Sequence, residues 1–232
     1  EPGLLGHGWR LPFEMQLQVR PDAVLLNDIN GRVIRFDPLA AGEQQKSASE
    51  GFSLLRGGPP KPRETASPTS PRKPEPKTKS DPKSEAKPKP EAESESDLPW
   101  QTQERWSHIP AQWRDSAHCV MAATPERNVW VFAAMSDHPQ DNTPWLPIAL
   151  IDVYGRTQRF DRNRGEHLDP RSGLPYGQLL RITDPLGRIY QLHYTTVKPP
   201  FGGKGLLRLA SVQTQTQMQS QTAPLVSYRY NS

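Results

Sequence analysis

The sequence is short of the residues that build an ordinary hydrophobic core. Hydrophobic residues make up only 34% of the 232 positions, whereas an ordinary globular domain has nearly half. The single cysteine, Cys119, excludes an intrachain disulfide, so the fold has to hold without covalent links. No apolar run approaches the roughly 18 residues that a transmembrane helix needs. We therefore expect no membrane partner.

The sequence also lacks a strong net charge and a recognisable signal peptide. Lys and Arg total 29 against 25 Asp and Glu, a formal charge of +4, which is too weak to indicate nucleic acid as a partner. The chain starts Glu1-Pro2-Gly3, without Met and without the basic and apolar regions of a signal peptide. We expect a processed or cut-out piece of a longer polypeptide.

Proline, by contrast, is abundant and concentrated. Residues 59–99 contain eleven Pro, nine Lys or Arg, eight Asp or Glu, and Leu98 as their only large apolar residue. Such a segment buries too little surface to offset a chain entropy of about 1–2 kcal/mol per residue, which predicts a disordered Pro/Lys/Glu/Ser-rich linker. The linker divides the chain into residues 1–58 and 100–232.

An Asp-x-x-Gly-Arg pattern occurs three times, where average residue usage predicts about 0.06 copies in a chain of this length. An apolar run precedes each copy and strand-forming residues follow it. The turn residues are Asp28, Gly31 and Arg32 in the first copy, Asp152, Gly155 and Arg156 in the second, and Asp184, Pro185, Gly187 and Arg188 in the third.

This spacing is typical of a β-hairpin. The Asp side chain accepts hydrogen bonds from the backbone two residues on, the Gly tolerates a left-handed conformation, and Pro185 presets φ for a type I turn. A type I turn followed by a left-handed Gly is a common hairpin connection. After the first Gly, Ile34 and Phe36 should share one strand face, with Val33 and Arg35 on the other.

Further strands are predicted at 129–135, 206–212 and 225–230 from their apolar, β-forming residues. A long helix has no candidate, because the best stretch, 101–114, is interrupted by Pro110. The predicted class is all-β, built from successive antiparallel hairpins. Since half-polar hairpins lack a self-sufficient core and leave open edges, we expect them to belong to a larger sheet.

The pattern of residues 148–232 resembles the YD-repeat proteins of the RHS family, which are bacterial polymorphic toxins. The opening, residues 6–14, is similar to the segment that leads into the shell of such proteins. The resemblance covers about 1–38 and 145–232. The Tyr-Asp signature is degenerate, and its places are taken by Phe160-Asp161, His193-Tyr194 and Tyr230-Asn231.

The resemblance implies a hollow β-shell, or β-cocoon, that encloses a C-terminal toxin domain for delivery, in many members by type VI secretion. Residues 1–58 would then be shell-entry strands with the first hairpin, and 100–232 a region of YD-type repeats. The implied partners are the downstream repeats and toxin of the same polypeptide, secretion spike proteins and a chaperone. The implied location is the bacterial cytoplasm before export through a contact-dependent secretion system.

Catalytic, cofactor and metal sites are not indicated, so we expect a non-enzymatic chain without cofactors. The six His residues form no pair at helical spacing and no cluster with cysteine. Toxins of the RHS family release their cargo by self-cleavage at an Asp-Pro-x-Gly motif. Here Asp184-Pro-Leu-Gly lies inside an ordinary repeat and is followed by Arg188, so we interpret it as a turn.

An alternative function is a cell-surface carbohydrate-binding module, since exposed tryptophans stack on sugars. Packing of the same side chains against a sheet is the other explanation. Solvent exposure discriminates between the two. The residues concerned are Trp100, Trp106, Trp113, Trp130 and Trp145.

Overall fold

The computed structural model describes residues 4–5, 10–47, 49–59, 103–135, 143–163, 177–198, 205–215 and 224–230. The predicted linker lies outside these residues apart from Pro59, as does Trp100. The described strands are β1 Gln16–Val19, β2 Val24–Asn27, β3 Val33–Phe36, β4 Gln44–Lys46, β5 Ser53–Arg56, β6 Cys119–Ala123, β7 Val129–Ala134, β8 Pro144–Ile151, β9 Thr157–Arg162, β10 Leu179–Thr183, β11 Ile189–Val197, β12 Leu206–Gln215 and β13 Pro224–Ser227. The predicted all-β class is confirmed.

Ten strands form one antiparallel path in the order β13-β12-β11-β10-β9-β8-β7-β6-β5-β4. Consecutive strands are therefore neighbours, as expected for hairpins added one after another. The path also joins the two sides of the predicted linker, because β5 pairs with β6. A branch made of β1, β2 and β3 leaves the path at β8.

The branch exists because the two ends of β8 pair with different strands along one edge, while β7 occupies the other edge. Near its start, Trp145 lies opposite Leu17 of β1, while near its end Ile151 lies opposite Thr157 of β9. Between them a bulge in the pairing with β7 leaves Ile148 without a partner residue. A bulge bends the strand and changes which face its side chains occupy.

Strand β7 has a continuously apolar sequence because both of its faces are packed. Trp130 and Phe132 pack into one hydrophobic cluster together with residues of the β1–β3 branch and of strands up to β12. Val129, Val131 and Ala133 pack into a second cluster on the opposite face. A strand that is covered on both faces reads as an unbroken hydrophobic run.

Two one-turn helices cover the second cluster. They are α1 Glu104–Ser107 and α2 Ala111–Arg114, and Pro110 stands between them as the N-cap of α2. Trp106 and Trp113 from these helices are buried in the cluster. No helix in the described part of the chain is long and apolar enough to cross a membrane.

The core is concentrated at the centre of the sheet. Residues outside the recognised repeats supply much of it, including Leu54, Val120 and Met121, all fully buried. Burial then falls toward the far end of the path. All four residues of β13 are exposed, and they include Leu225 at 60%.

Candidate functional site

The three repeated turns close the hairpins β2–β3, β8–β9 and β10–β11. The second and third lie on the same margin of the sheet. This follows from the register, because Arg159, just after the second turn, pairs with Thr183, just before the third. Neighbouring strands are about 4.8 Å apart, so two intervening strands place these turns roughly 10 Å from one another.

All three turns have the same backbone geometry. The Gly N–H donates to the Asp carbonyl and the Asp N–H donates to the Arg carbonyl at distances of 2.9–3.1 Å. Each Gly has a positive φ, which disfavours any residue with a Cβ. These angles are +77° at Gly31, +77° at Gly155 and +80° at Gly187.

The Asp side chain holds each turn together through both carboxylate oxygens. In the third turn, Oδ1 of Asp184 accepts hydrogen bonds from the backbone N–H groups of Leu186 and Arg188, each at 2.9 Å. Oδ2 accepts from Nε of Arg188 at 2.6 Å and from the Tyr190 hydroxyl at 3.3 Å. The turns at Asp28 and Asp152 repeat the same bonds to the backbone and to the arginine Nε.

Electrostatics favour the charged form of all three carboxyl groups. Burial acts to raise the pKa of Asp28, but hydrogen bonds from Arg32 and Asn30 outweigh it, so the pKa lies below 3.8. The pKa values of Asp152 and Asp184 are lowered in the same way by their own arginines and turn backbones. A carboxylate saturated with donors is suited to closing a hairpin rather than to transferring protons.

The tips of the turns carry exposed apolar side chains. Tyr154 is 80% exposed and Leu186 is 79% exposed, while Ile29 is half exposed. The Arg156 guanidinium lies 5.2 Å from the Tyr154 ring centre, in cation–π range. The repeated turns therefore present apolar groups and arginines together at the sheet margin.

The tryptophans do not form a sugar-stacking platform in the described part of the chain. Trp106, Trp113, Trp130 and Trp145 are all buried, none more than 9% exposed. Trp130 stacks on Phe160 with ring centres 5.9 Å apart. Among the described residues, no group of three or more His, Cys, Asp or Glu side chains is placed to hold a metal ion.

Sequence reasoning missed a buried cation. The Arg162 guanidinium donates to the carbonyl oxygens of Phe13, Pro147 and Gly177 at 2.6, 2.7 and 2.9 Å. Burial lowers its pKa to about 10. The Arg162 side chain thus links the N-terminal segment to β8 and β9. Its role could not be predicted from the sequence, because nothing there distinguishes Arg162 from the other arginines that follow a repeat.

Sequence reasoning also missed a fourth turn of the same backbone geometry, between β6 and β7. Thr124 N–H donates to the Asn128 carbonyl at 2.8 Å, and Arg127 N–H donates to the Thr124 carbonyl at 2.9 Å. Thr, Arg and Asn thus replace Asp, Gly and Arg. Pro125 is the one sequence feature that indicates this turn, because it occupies the same turn position as Pro185.

Comparison with known proteins relates part of the chain to a toxin. No family model matches the sequence. A stretch of 57 residues, 24% of the chain, is 51% identical to "Toxin protein Tse5" of Pseudomonas aeruginosa, strain PAO1. The match covers 4% of that protein, so the chain spans only a small part of the length of this curated relative. This partial match shows that the chain is related to a toxin and no more than that.

Proposed function

We propose that this chain is the N-terminal portion of an RHS-type β-shell that encloses a toxin domain of the same polypeptide. In this role the chain is non-enzymatic, and any toxin activity belongs to the enclosed domain. The partial similarity to a toxin supports a toxin-related role. The repeated Asp-Gly-Arg hairpins support an architecture that grows by adding strands to one sheet.

The observation that carries the proposal is the state of β13. It pairs with β12, and no other described strand pairs with its second edge. All four of its residues are exposed, including Leu225 and Val226. An unprotected apolar edge invites pairing with a further strand, and in a shell the downstream repeats would supply that strand.

The proposed partners follow from the same reasoning. Downstream repeats would continue the path beyond β13, and the enclosed toxin would lie within the completed shell. Delivery by type VI secretion, with spike proteins and a chaperone as further partners, belongs to the proposal through the family resemblance. So does synthesis in the bacterial cytoplasm before export. The carbohydrate-binding alternative receives no support from the four buried tryptophans.

Protection of the enclosed domain from protease tests the proposal. The longer polypeptide is prepared with and without the double substitution Leu225→Lys and Val226→Lys, which places charges on the exposed strand. We expect the intact shell to protect its C-terminal region and the double variant to lose that protection. Val33→Lys is the matched control, because Val33 is an exposed apolar strand residue, 63% accessible, on the β1–β3 branch.

Two results would contradict the proposal. The first is a C-terminal region that is digested as fast in the unsubstituted polypeptide as in the double variant. The second is equal loss of protection in the Val33→Lys control, which would show a general effect of surface charge rather than an opened junction at β13.

A further inference from the structure

Three hairpin turns meet around an open depression of about 290 Å³ that borders the hydrophobic cluster of Trp130 and Phe132. Its lining comes from the β2–β3, β4–β5 and β6–β7 turns and from the segment before β1. Strands β1–β3 and β5–β8 contribute buried side chains to this cluster from both sides, so the depression lies at the mouth of a barrel-like arrangement. Such mouths are preferred ligand sites, and a volume near 300 Å³ suits one long side chain or a small molecule.

The floor of the depression is apolar and held in place by the core. Met15 and Trp130 are buried members of the cluster, and Phe52 packs against it. The Trp130 ring is positioned by stacking on Phe160. The floor can therefore cover the apolar part of a ligand without rearranging. The other apolar lining residues are Pro12, Ile29 and Pro125.

The rim of the depression carries an excess of negative charge. Its charged lining residues are three carboxylates, Asp28, Glu50 and Glu126, and one cation, Arg32. The Arg32 guanidinium is paired with Asp28 at 2.8 Å and with Glu50 at 2.7 Å. One cation thus serves two carboxylates, and the lining keeps a formal charge of −2.

Glu126 brings its negative charge to a part of the rim that a ligand can reach. The side chain is exposed, and a hydrogen bond from the neutral Thr124 hydroxyl lowers the pKa of the Glu126 carboxyl, which favours its charged form. A separate depression, which shares Thr124 and Pro125, is lined by the cations Lys46, Arg105 and Arg127. The charge at the rim with Glu126 therefore favours a cationic ligand.

We propose that this depression binds the side chain of an arginine carried by a partner polypeptide. The apolar stem would lie on the aromatic floor, and the guanidinium would contact the carboxylates of Glu50 and Glu126 at the rim. A guanidinium is less strongly hydrated than an ammonium, stacks on aromatic rings and matches carboxylates in a planar fork, so arginine suits this site better than lysine. The inference goes beyond the proposed shell function and does not depend on it, since every lining residue belongs to this chain.

NMR titration of the isotope-labelled 232-residue chain with a capped Gly-Arg-Gly peptide, at constant ionic strength, tests the site. We expect saturable shifts of the Trp130 indole N–H and of the backbone amides at residues 28–32 and 124–126. The same peptide with citrulline in place of arginine keeps the shape but lacks the charge. It should bind about ten- to a hundredfold more weakly, from the worth of hydrogen bonds to charged groups.

Glu126→Gln should raise the Kd of the arginine peptide about tenfold. Its melting temperature should equal that of the unsubstituted chain, because the Glu126 side chain is exposed. Asp22→Asn is the matched control, since it also removes one exposed carboxylate, 69% accessible, but lies outside the lining. This control should leave Kd unchanged.

Several results would overturn the proposal. They are the absence of saturable shifts at the lining residues, equal binding of the arginine and citrulline peptides, and an unchanged Kd in Glu126→Gln. An equal rise of Kd in Asp22→Asn would show attraction to the whole surface rather than to this site. Equal binding of a capped Gly-Lys-Gly peptide would contradict the assignment to arginine, and tighter binding of free L-arginine would contradict a polypeptide partner.

Discussion

Substitution of Gly187 isolates the conformational cost of the repeated turn. Gly187 has φ +80°, and a Cβ built on it would meet no atom within 4 Å. The loss of stability in Gly187→Ala must therefore come from the backbone angle and not from collision of the Cβ. A left-handed backbone costs an L-residue roughly 1–2 kcal/mol, with β-branched residues at the upper end and Asn at the lower end.

We expect Gly187→Val to lower the free energy of unfolding by about 2 kcal/mol, Gly187→Ala by about 1 kcal/mol and Gly187→Asn by less. For a domain of this size, each kcal/mol corresponds to about 2–4 °C in melting temperature. Urea titration and thermal unfolding monitored by circular dichroism measure both quantities.

Gly57 provides the matched control, since its φ is ordinary and the strain there is steric alone. A Cβ on Gly57 would lie 2.3 Å from the Ser116 carbonyl oxygen and 2.7 Å from that of Trp113. Ala, Asn and Val should all be poorly tolerated at position 57. The reasoning is refuted if Val and Asn destabilise equally at position 187, or if Asn is tolerated equally well at both positions.

Three further predictions concern the turn carboxylates, the core and the linker. Since the pKa values of the turn aspartates lie below their ordinary value of 3.8, their stabilisation is present above pH 3.8 and is lost as the pH falls through the folded values; urea titrations at pH 5 and pH 3 should show this fall, and it should shrink when all three are replaced by Asn. Phe160→Ala should lower the free energy of unfolding by about 3–5 kcal/mol and Phe160→Leu by far less, because the buried ring stacks on Trp130; equal effects in urea titration would contradict this. Limited proteolysis should cut first within residues 59–99, and the two fragments should elute together in size exclusion because β5 pairs with β6 and β1 with β8; separate elution would contradict this.

The hairpins at the recognised repeats could be predicted from the sequence because the residues that specify them lie close together in the chain. Asp, Gly and Arg at fixed spacing specify a turn by themselves, and the apolar run at 129–135 specifies a buried strand, observed as Val129–Ala134. The turn at Thr124 was not found because three of its residues depart from the pattern. Its geometry is held by backbone hydrogen bonds to which any residue contributes.

The branch and the two cores could not be predicted, because they depend on contacts between distant segments. Strand β4, Gln-Gln-Lys, shows no hydrophobic pattern. Strand β1, Gln-Leu-Gln-Val, alternates over only four residues and carries no sign that it pairs with both β2 and β8. The bulge at Ile148 is defined by its pairing with β7.

Amide hydrogen exchange at Leu225, Val226 and Ser227 of β13 tests the proposed continuation of the sheet most directly. Exchange is measured by mass spectrometry in the 232-residue chain alone and in the longer polypeptide that we propose. Because no described strand pairs with the second edge of β13, the amides that point to this edge should exchange rapidly in the isolated chain and become strongly protected in the longer polypeptide. Equal exchange in the two samples would contradict the proposal that downstream repeats extend this sheet.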